Sequence, residues 1–226
     1  MNFEAVTVQR TTSETEFQVV LRPRTGPAET LDLPNRLLAH FIDHFTRACG
    51  IEVQSAGTDW PGSYRLDHVL CEDLGQLLGR GIAAIHDFRA AGTGVPGRGS
   101  ATCVMDDAES QVALTFEGRP SATWNVPEGI DIDGFVDSWY DASGRMEGWA
   151  AGTNLRQFLD GFAIGAGVGL AVNVRRSGNL HHLYETIFRG LGDAVALALG
   201  NAASRLPGDT SGLAGSCVYT VEVRES

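Results

Sequence analysis

A duplicated two-layer α/β domain is the fold class this sequence predicts. Three observations predict it. Strands and helices alternate along the chain, short strand units are each covered by amphipathic helices, and one series of motifs occurs twice in the same order. Phe41-Ile42-Asp43-His44-Phe45 is followed after four residues by Gly50-Ile51-Glu52-Val53, and Phe158-Leu159-Asp160-Gly161-Phe162 after four by Gly167-Val168-Gly169-Leu170. Each block leads to a His-x-x-x-Glu start, His68 to Glu72 and His181 to Glu185. Each start opens a long apolar-periodic run, Leu74 to Ile85 and Ile187 to Leu199. A period above a hundred residues indicates two fused halves rather than a solenoid. The boundaries expected are 1–99 and 100–226, with 129–152 a possible insertion.

Taken in order, Phe3 to Val8 and Glu16 to Leu21 read as strands, and Arg22 to Pro27 as a loop. Asn35 to Ala48 reads as a helix stopped by Gly50. Strands are expected near Ile51 to Ser55 and Ser63 to Leu66, then a helix from His68 to Phe88. The glycine-rich stretch Ala91 to Gly99 reads as a surface loop. Three strands follow, near Ser100 to Met105, Ser110 to Glu117 and Ala122 to Val126. Gly129 to Gly152, rich in Asp, Gly and aromatic residues, reads as a partly helical insertion. Helix Leu155 to Ile164, strand Val168 to Val174, helix His182 to Leu199 and a last strand Ser216 to Val223 complete the chain.

Composition narrows the function. At 226 residues, 43% hydrophobic and 20% charged, the chain reads as a soluble globular protein. No apolar run reaches the ~20 residues that span a bilayer, and no basic-then-apolar leader opens the sequence, so a cytoplasmic location is expected. The net charge of -11 argues against nucleic acid or an anionic membrane as partner. Cys49, Cys71, Cys103 and Cys217 are widely spaced, which points to free thiols rather than a zinc ribbon or redox pair.

The richest chemistry lies in His181-His182-Leu183-Tyr184-Glu185. At about 3.6 residues per turn, His181 and Glu185 share a helix face, while the two imidazoles diverge by about 100°. Two ions, or one ion and a substrate, suit that divergence. His68 and Glu72 repeat the pattern, though an ordinary i,i+4 pair reads the same way. His40 and His86 match no motif and are expected to be solvated. The Trp124, Trp139, Tyr140 and Trp149 group reads as packing rather than an aromatic substrate box. Asp106-Asp107 reads equally as a turn or as functional carboxylates. A strand connection is the plain alternative for Glu14, and a hairpin position for Arg119.

In their order the motifs resemble the imidazoleglycerol-phosphate dehydratase family. The family's Arg-x-Thr-x-Glu-Thr stands here as Arg10-Thr11-Thr12-Ser13-Glu14-Thr15, its Phe-Leu-Asp-His-Met as Phe41 to Phe45, and its His-His-x-x-Glu-Asp as His68-Val69-Leu70-Cys71-Glu72-Asp73. Leu74-Gly75-Gln76, Val104-Met105-Asp106-Asp107-Ala108, Glu117-Gly118-Arg119-Pro120 and the intact His181 to Glu185 continue the series. The resemblance implies a duplicated ribosomal-protein-S5-domain-2-like sandwich. It implies homo-oligomers, trimers that pack into a 24-subunit shell, with active sites between subunits. It implies a divalent metal, manganese with zinc or iron as competitors, at one or two ions per site. The ligands it implies are His44, His68, Glu72, His181, His182 and Glu185. Those of one subunit, His181, His182 and Glu185, are expected to meet His44, His68 and Glu72 of a neighbour. Glu14, Asp106 and Glu185 would serve acid–base roles, and Arg98, Arg119 and Gln157 would contact a small-molecule substrate.

Departures from the family pattern carry equal weight. Val69 replaces the second histidine of the first motif, and Gln157 stands where the family has another metal-binding histidine. Arg98 follows Gly97 where the family's arginine is offset, and Asp209-Thr210-Ser211-Gly212 replaces Ser-Thr-Lys-Gly, so that the lysine is gone and a carboxylate, which repels phosphate, arrives. These changes lead to the expectation of a metal-dependent dehydratase (a hydro-lyase) with an altered substrate. An authentic imidazoleglycerol-phosphate dehydratase of histidine biosynthesis and a non-catalytic structural or regulatory relative are the alternatives.

Overall fold

The computed structural model describes residues 3–26, 31–62, 64–202 and 204–209, and all that follows concerns these. The order is β1 (Val6–Thr11), β2 (Glu16–Pro23), α1 (Arg36–Cys49), β3 (Ile51–Asp59), α2 (Asp67–Thr93), β4 (Arg98–Met105), β5 (Ala108–Phe116), β6 (Ser121–Asn125), β7 (Phe135–Tyr140), β8 (Met146–Ala151), α3 (Gly152–Ala166), β9 (Val168–Ser177) and α4 (Leu180–Ala198). Antiparallel β1-β2-β3 form one sheet. β4-β5-β9-β6 form a second, in which only β6 and β9 pair in parallel. Helices α1 and α2 cover the first sheet, α3 and α4 the second. The two helical layers meet, α1 against α4 and α2 against α3. The core therefore lies between two sheets, and its centre is aromatic: Phe41, Phe45, Phe158, Phe162 and Phe188 are fully buried.

The halves repeat as ββαβα. Strands β1, β2 and β3 correspond to β4, β5 and β9, α1 to α3, and α2 to α4. Equivalent stops mark equivalent helices. Gly50 (φ 69°) ends α1 and Gly167 (φ 66°) ends α3, both in the left-handed region that glycine enters at no Cβ cost. The second half differs by an insertion between its second strand and first helix: β6, then the β7–β8 hairpin. Residues 129–152 are thus not partly helical. β7 pairs with β8 through two register shifts, and the Asp141 to Arg145 turn is closed by Asp141 accepting from Ser143 and Arg145. Tyr184 of α4 anchors the insertion by donating to the carbonyls of Ile132 and Gly152.

Three further differences are local. α2 runs on to Thr93, five residues past Phe88, so the expected surface loop shrinks to the link before β4. Residues 64–66 carry no strand; Ser63 lies outside the described residues, as do Ser216 to Val223 and Cys217. Tyr140 and Trp149 are exposed on the hairpin, 59% and 57%, rather than packed.

Two polar knots place the helix starts. Asn35 caps α1 by accepting from the Leu38 amide, and its amide group donates to Asp67. Asp67 also accepts from Asn154, so one carboxylate at the head of α2 binds the heads of α1 and α3. Buried Asp73 accepts from Arg10 and Thr15 and so fastens the β1–β2 connection to α2. Much of the Arg10-to-Thr15 motif is structural on this geometry.

Helices α2 and α3 cross at glycines. A Cβ on Gly75 would stand 2.1 Å from the Phe158 carbonyl oxygen, on Gly79 2.3 Å from that of Phe162, on Gly161 2.4 Å from that of Glu72, and on Gly165 2.1 Å from that of Gln76. Backbone lies against backbone here, with no flexible side chain to yield. Gly75→Ala is expected to lower stability by about 3 kcal/mol, at the upper end for an overpacked site, read as a shifted urea midpoint with unchanged slope.

Candidate metal centre

Helix α1 presents His40 and His44 one turn apart, on the face that meets α4. Helix α4 presents His181 and Glu185, also one turn apart. Asn179 begins α4 by accepting from the His181 amide, which fixes the direction in which that first turn points. The Glu185 side chain is 5% exposed, and one of its oxygens, Oε1, gathers three imidazoles. His40 Nε2 lies 2.8 Å away, His44 Nε2 3.0 Å and His181 Nε2 3.4 Å. The other oxygen, Oε2, is buried with no hydrogen-bond partner.

Burial pushes the Glu185 carboxyl up, but the hydrogen bond from His40 and the adjacent His44 and His181 rings outweigh it and hold the group below its ordinary value. Desolvation pushes His44 down, against the pull of Glu185. A neutral imidazole and an ionised carboxylate are the forms that ligate a cation. Arg189 Nη2 stands 3.4 Å from His44 Nδ1. A hydrogen bond there puts the ring proton on Nε2, toward Glu185, so ligation through Nε2 exchanges that tautomer for the other.

The donor set fits a divalent cation. The ligand atoms of His40, His44 and Glu185 lie within 4.8 Å of one another. Tetrahedral bonds of about 2.1 Å separate ligand atoms by about 3.4 Å, close to the spacings observed. The unpartnered Oε2 is a buried lone-pair donor of the kind that an ion satisfies.

His182 faces elsewhere. Its Nδ1 lies 2.9 Å from Asp107 Oδ1 and its Nε2 3.7 Å from Asp106 Oδ2. The hydrogen bond to Asp107 raises the His182 pKa and lowers that of Asp107. Asp106 and Asp107 do form the two-residue turn between β4 and β5, with Asp106 at φ 46°, and the same turn touches His182. His181 has a carboxylate of its own: Asp137 Oδ2, from the β7–β8 hairpin, is 3.0 Å from Nδ1.

The other expected site residues are dispersed. His68 is exposed near the start of α2; Glu72, also exposed, accepts from Gln76. Glu14 lines a separate cleft of about 200 Å³ with Arg10, Val69, Glu72 and Asp73. Gln157 keeps a buried Oε1 without a partner. Arg98 begins β4, whose other end reaches the Asp106 turn after seven residues, about 23 Å at 3.3 Å per residue. Arg119 is exposed just before β6, where Ser121 pairs with Gly169 and hence near Thr115 and Arg98. Both arginines occupy the end of the second sheet remote from His182.

Three expectations need correction. His40 is not simply a solvated histidine, because it joins the cluster. The signal that identifies it is the i,i+4 spacing to His44. His86 is buried rather than solvated, stacked on Phe116 with ring centroids 4.1 Å apart. And His44 meets Glu185 of its own chain, so that contact requires no neighbouring subunit.

A sequence profile described as imidazoleglycerol-phosphate dehydratase matches residues 34–195. The imidazoleglycerol-phosphate dehydratase of Burkholderia multivorans is 31% identical over 206 residues, covering 88% of this chain and 94% of its own length. That of Ralstonia pickettii is 29% identical over 199 residues, covering 85% and 88%. Among solved structures, the enzyme of Staphylococcus aureus superposes with a TM-score of 0.63 at 18% identity, over 87% of this chain and all of that one. The Pyrococcus furiosus enzyme gives 0.62 at 24%, over 86% and 94%. The last two likenesses establish the duplicated α/β fold.

The two shifted groups give a pH dependence of one sign. A His44 pKa below the ordinary 6.5 means that the folded state binds its proton less readily than the unfolded. The stability it contributes is present above about pH 6.5 and declines as pH falls. Glu185, held below 4.5, acts the same way at lower pH. His182 has the opposite sign, but it is exposed and screened. In chelator, the thermal midpoint is expected to drop between about pH 7.5 and about pH 5.5, and His44→Gln should shrink the drop when both proteins are melted across that range.

Proposed function

The chain belongs to the imidazoleglycerol-phosphate dehydratase family, and from that premise we propose that it is a metal-dependent dehydratase acting on a small molecule other than imidazoleglycerol phosphate. The observation that carries the reading is the convergence of His40, His44 and His181 on Glu185. Two imidazole nitrogens and a carboxylate oxygen suit manganese, iron or zinc. When bound, such an ion supplies Lewis acidity toward a nitrogen or oxygen of the substrate.

The surrounding residues supply the rest. His40 is 43% exposed and forms the open side of the cluster, where a substrate donor can approach. His182 is the group suited to give a proton to a departing hydroxyl, because Asp107 holds Nδ1 and favours the charged ring while Nε2 stays available. Asp106, 3.7 Å from that nitrogen, can exchange the proton with solvent. Asp137 Oδ2 stands 3.0 Å from His181 Nδ1 without hydrogen-bond geometry, so its contribution there is an adjacent negative charge rather than a fixed ring orientation. Glu14 lines a different cleft of the same chain, so its acid–base role requires a neighbouring subunit to bring it to the cluster.

Phosphate recognition is where the substrate reading departs from the relatives. Within one protomer Arg98 and Arg119 are far from the cluster along β4 and β6, and Asp209 stands where the family pattern places a serine two residues before its lysine. An acidic residue repels a phosphate dianion. A less charged imidazole alcohol or vicinal diol matches the remaining polar groups better.

Protein loaded with manganese should bind metal and release water from such a diol, with turnover of imidazoleglycerol phosphate at least 10³-fold below the median enzyme kcat of about 10 s⁻¹. Product formation by mass spectrometry, with metal content by elemental analysis, tests this. Rapid, metal-dependent turnover of imidazoleglycerol phosphate would establish the authentic enzyme instead, and a protein that takes up no metal would establish a scaffold.

A further inference from the structure

The duplication allows the two helix pairs of this one chain to be compared position by position. His40 and Gln157 both stand immediately before the Phe-x-Asp-x-Phe blocks. His44 corresponds to Gly161, His181 to His68, His182 to Val69 and Glu185 to Glu72. The α1/α4 pair therefore has a donor at all five positions. The α2/α3 pair keeps an imidazole and a carboxylate only at His68 and Glu72, and both are exposed.

Packing differs as much as composition. Between α1 and α4, imidazoles and the Glu185 carboxylate fill the space at the start of α4. At the equivalent place, Gly161 lies so close to the Glu72 carbonyl that a Cβ would meet it at 2.4 Å. No ligand side chain can enter from that position of α3. Among the described residues the only group of three His, Cys, Asp or Glu ligands close enough to share an ion is His40, His44 and Glu185.

We propose that the chain holds a single divalent cation within one protomer, on His40, His44 and Glu185 with water completing its shell, and that the α2/α3 pair holds none. The inference rests on the metal-dependent reading above and deepens it. It adds His40 as a ligand, fixes the stoichiometry at one ion per chain, and makes retention of the ion independent of contacts between subunits.

Cobalt(II) is the probe, since its visible absorption reports ligand number and needs no turnover. The full-length protein, stripped with chelator and titrated, should take up one ion per chain with a four-coordinate spectrum. Its affinity should be the same in concentrated and in dilute protein. Loss of a supporting group already costs 10–100-fold in affinity, so His40→Ala and Glu185→Gln should each weaken binding more than about 100-fold. His40→Ala removes a hydrogen bond from buried Glu185, so its melting midpoint should fall, while circular dichroism should show the fold intact. His40→Gln provides a second variant of nearer size and should also weaken binding. His68→Ala and Glu72→Gln should leave affinity and spectrum unchanged. Two ions per chain, unchanged affinity in His40→Ala, or loss of the ion in His68→Ala or Glu72→Gln would overturn this inference and leave the dehydratase reading standing. Failure to bind cobalt, manganese or zinc at all would overturn both.

Discussion

A buried carboxylate cannot stay charged in a protein interior without partners. Glu185 is such a group, and the arrangement of its helix layer answers that constraint. Its position on α4, one turn below His181, comes from the helix start at Asn179. Its partners on α1 arrive because Phe41 and Phe45 bury on the same helix that carries His40 and His44, and Phe41 stacks on Phe188 of α4. The apolar packing brings the helices together, and the charge then determines which polar residues can occupy the remaining corner. Stability and chemistry thus meet in one side chain: the imidazoles that make the ionised carboxylate tolerable are the groups that would share a cation with it.

Much of this was legible in the sequence. Helix periodicity and the two glycine stops located α1, α3 and α4 to within a few residues. The repeated Phe-x-Asp-x-Phe and His-x-x-x-Glu series revealed the duplication and gave Glu185, His181 and His44. The β7–β8 hairpin was harder to read, because two register shifts break its alternation and Asp and Gly dominate its ends. His40 belongs to no motif, and the cluster it joins is formed by two helices far apart in sequence. His86 shares the buried face of α2 with Ile82 and Ala90, one turn to either side, but belongs to no motif, and Phe116 of β5 covers its ring. The arginines show a limit of another kind: a motif keeps its residue while the strand under it carries that residue to the far end of a sheet.

The inserted hairpin links these themes. With β6, it enters the second half between β5 and the helix α3 that follows. Tyr184 secures it through two carbonyls, and through Asp137 it reaches the imidazole at the head of α4. A segment that looks peripheral in sequence thus places a carboxylate beside the imidazole cluster.

The glycine-lined crossing of α2 and α3 also bears on descent. Where carbonyl oxygens occupy the volume that a methyl group would need, nearly every single-codon replacement is met by the neighbouring main chain. Such a seam acts as a ratchet. Once two helices have settled to that distance, a lineage can add chemistry elsewhere on the molecule far more readily than it can reopen this seam.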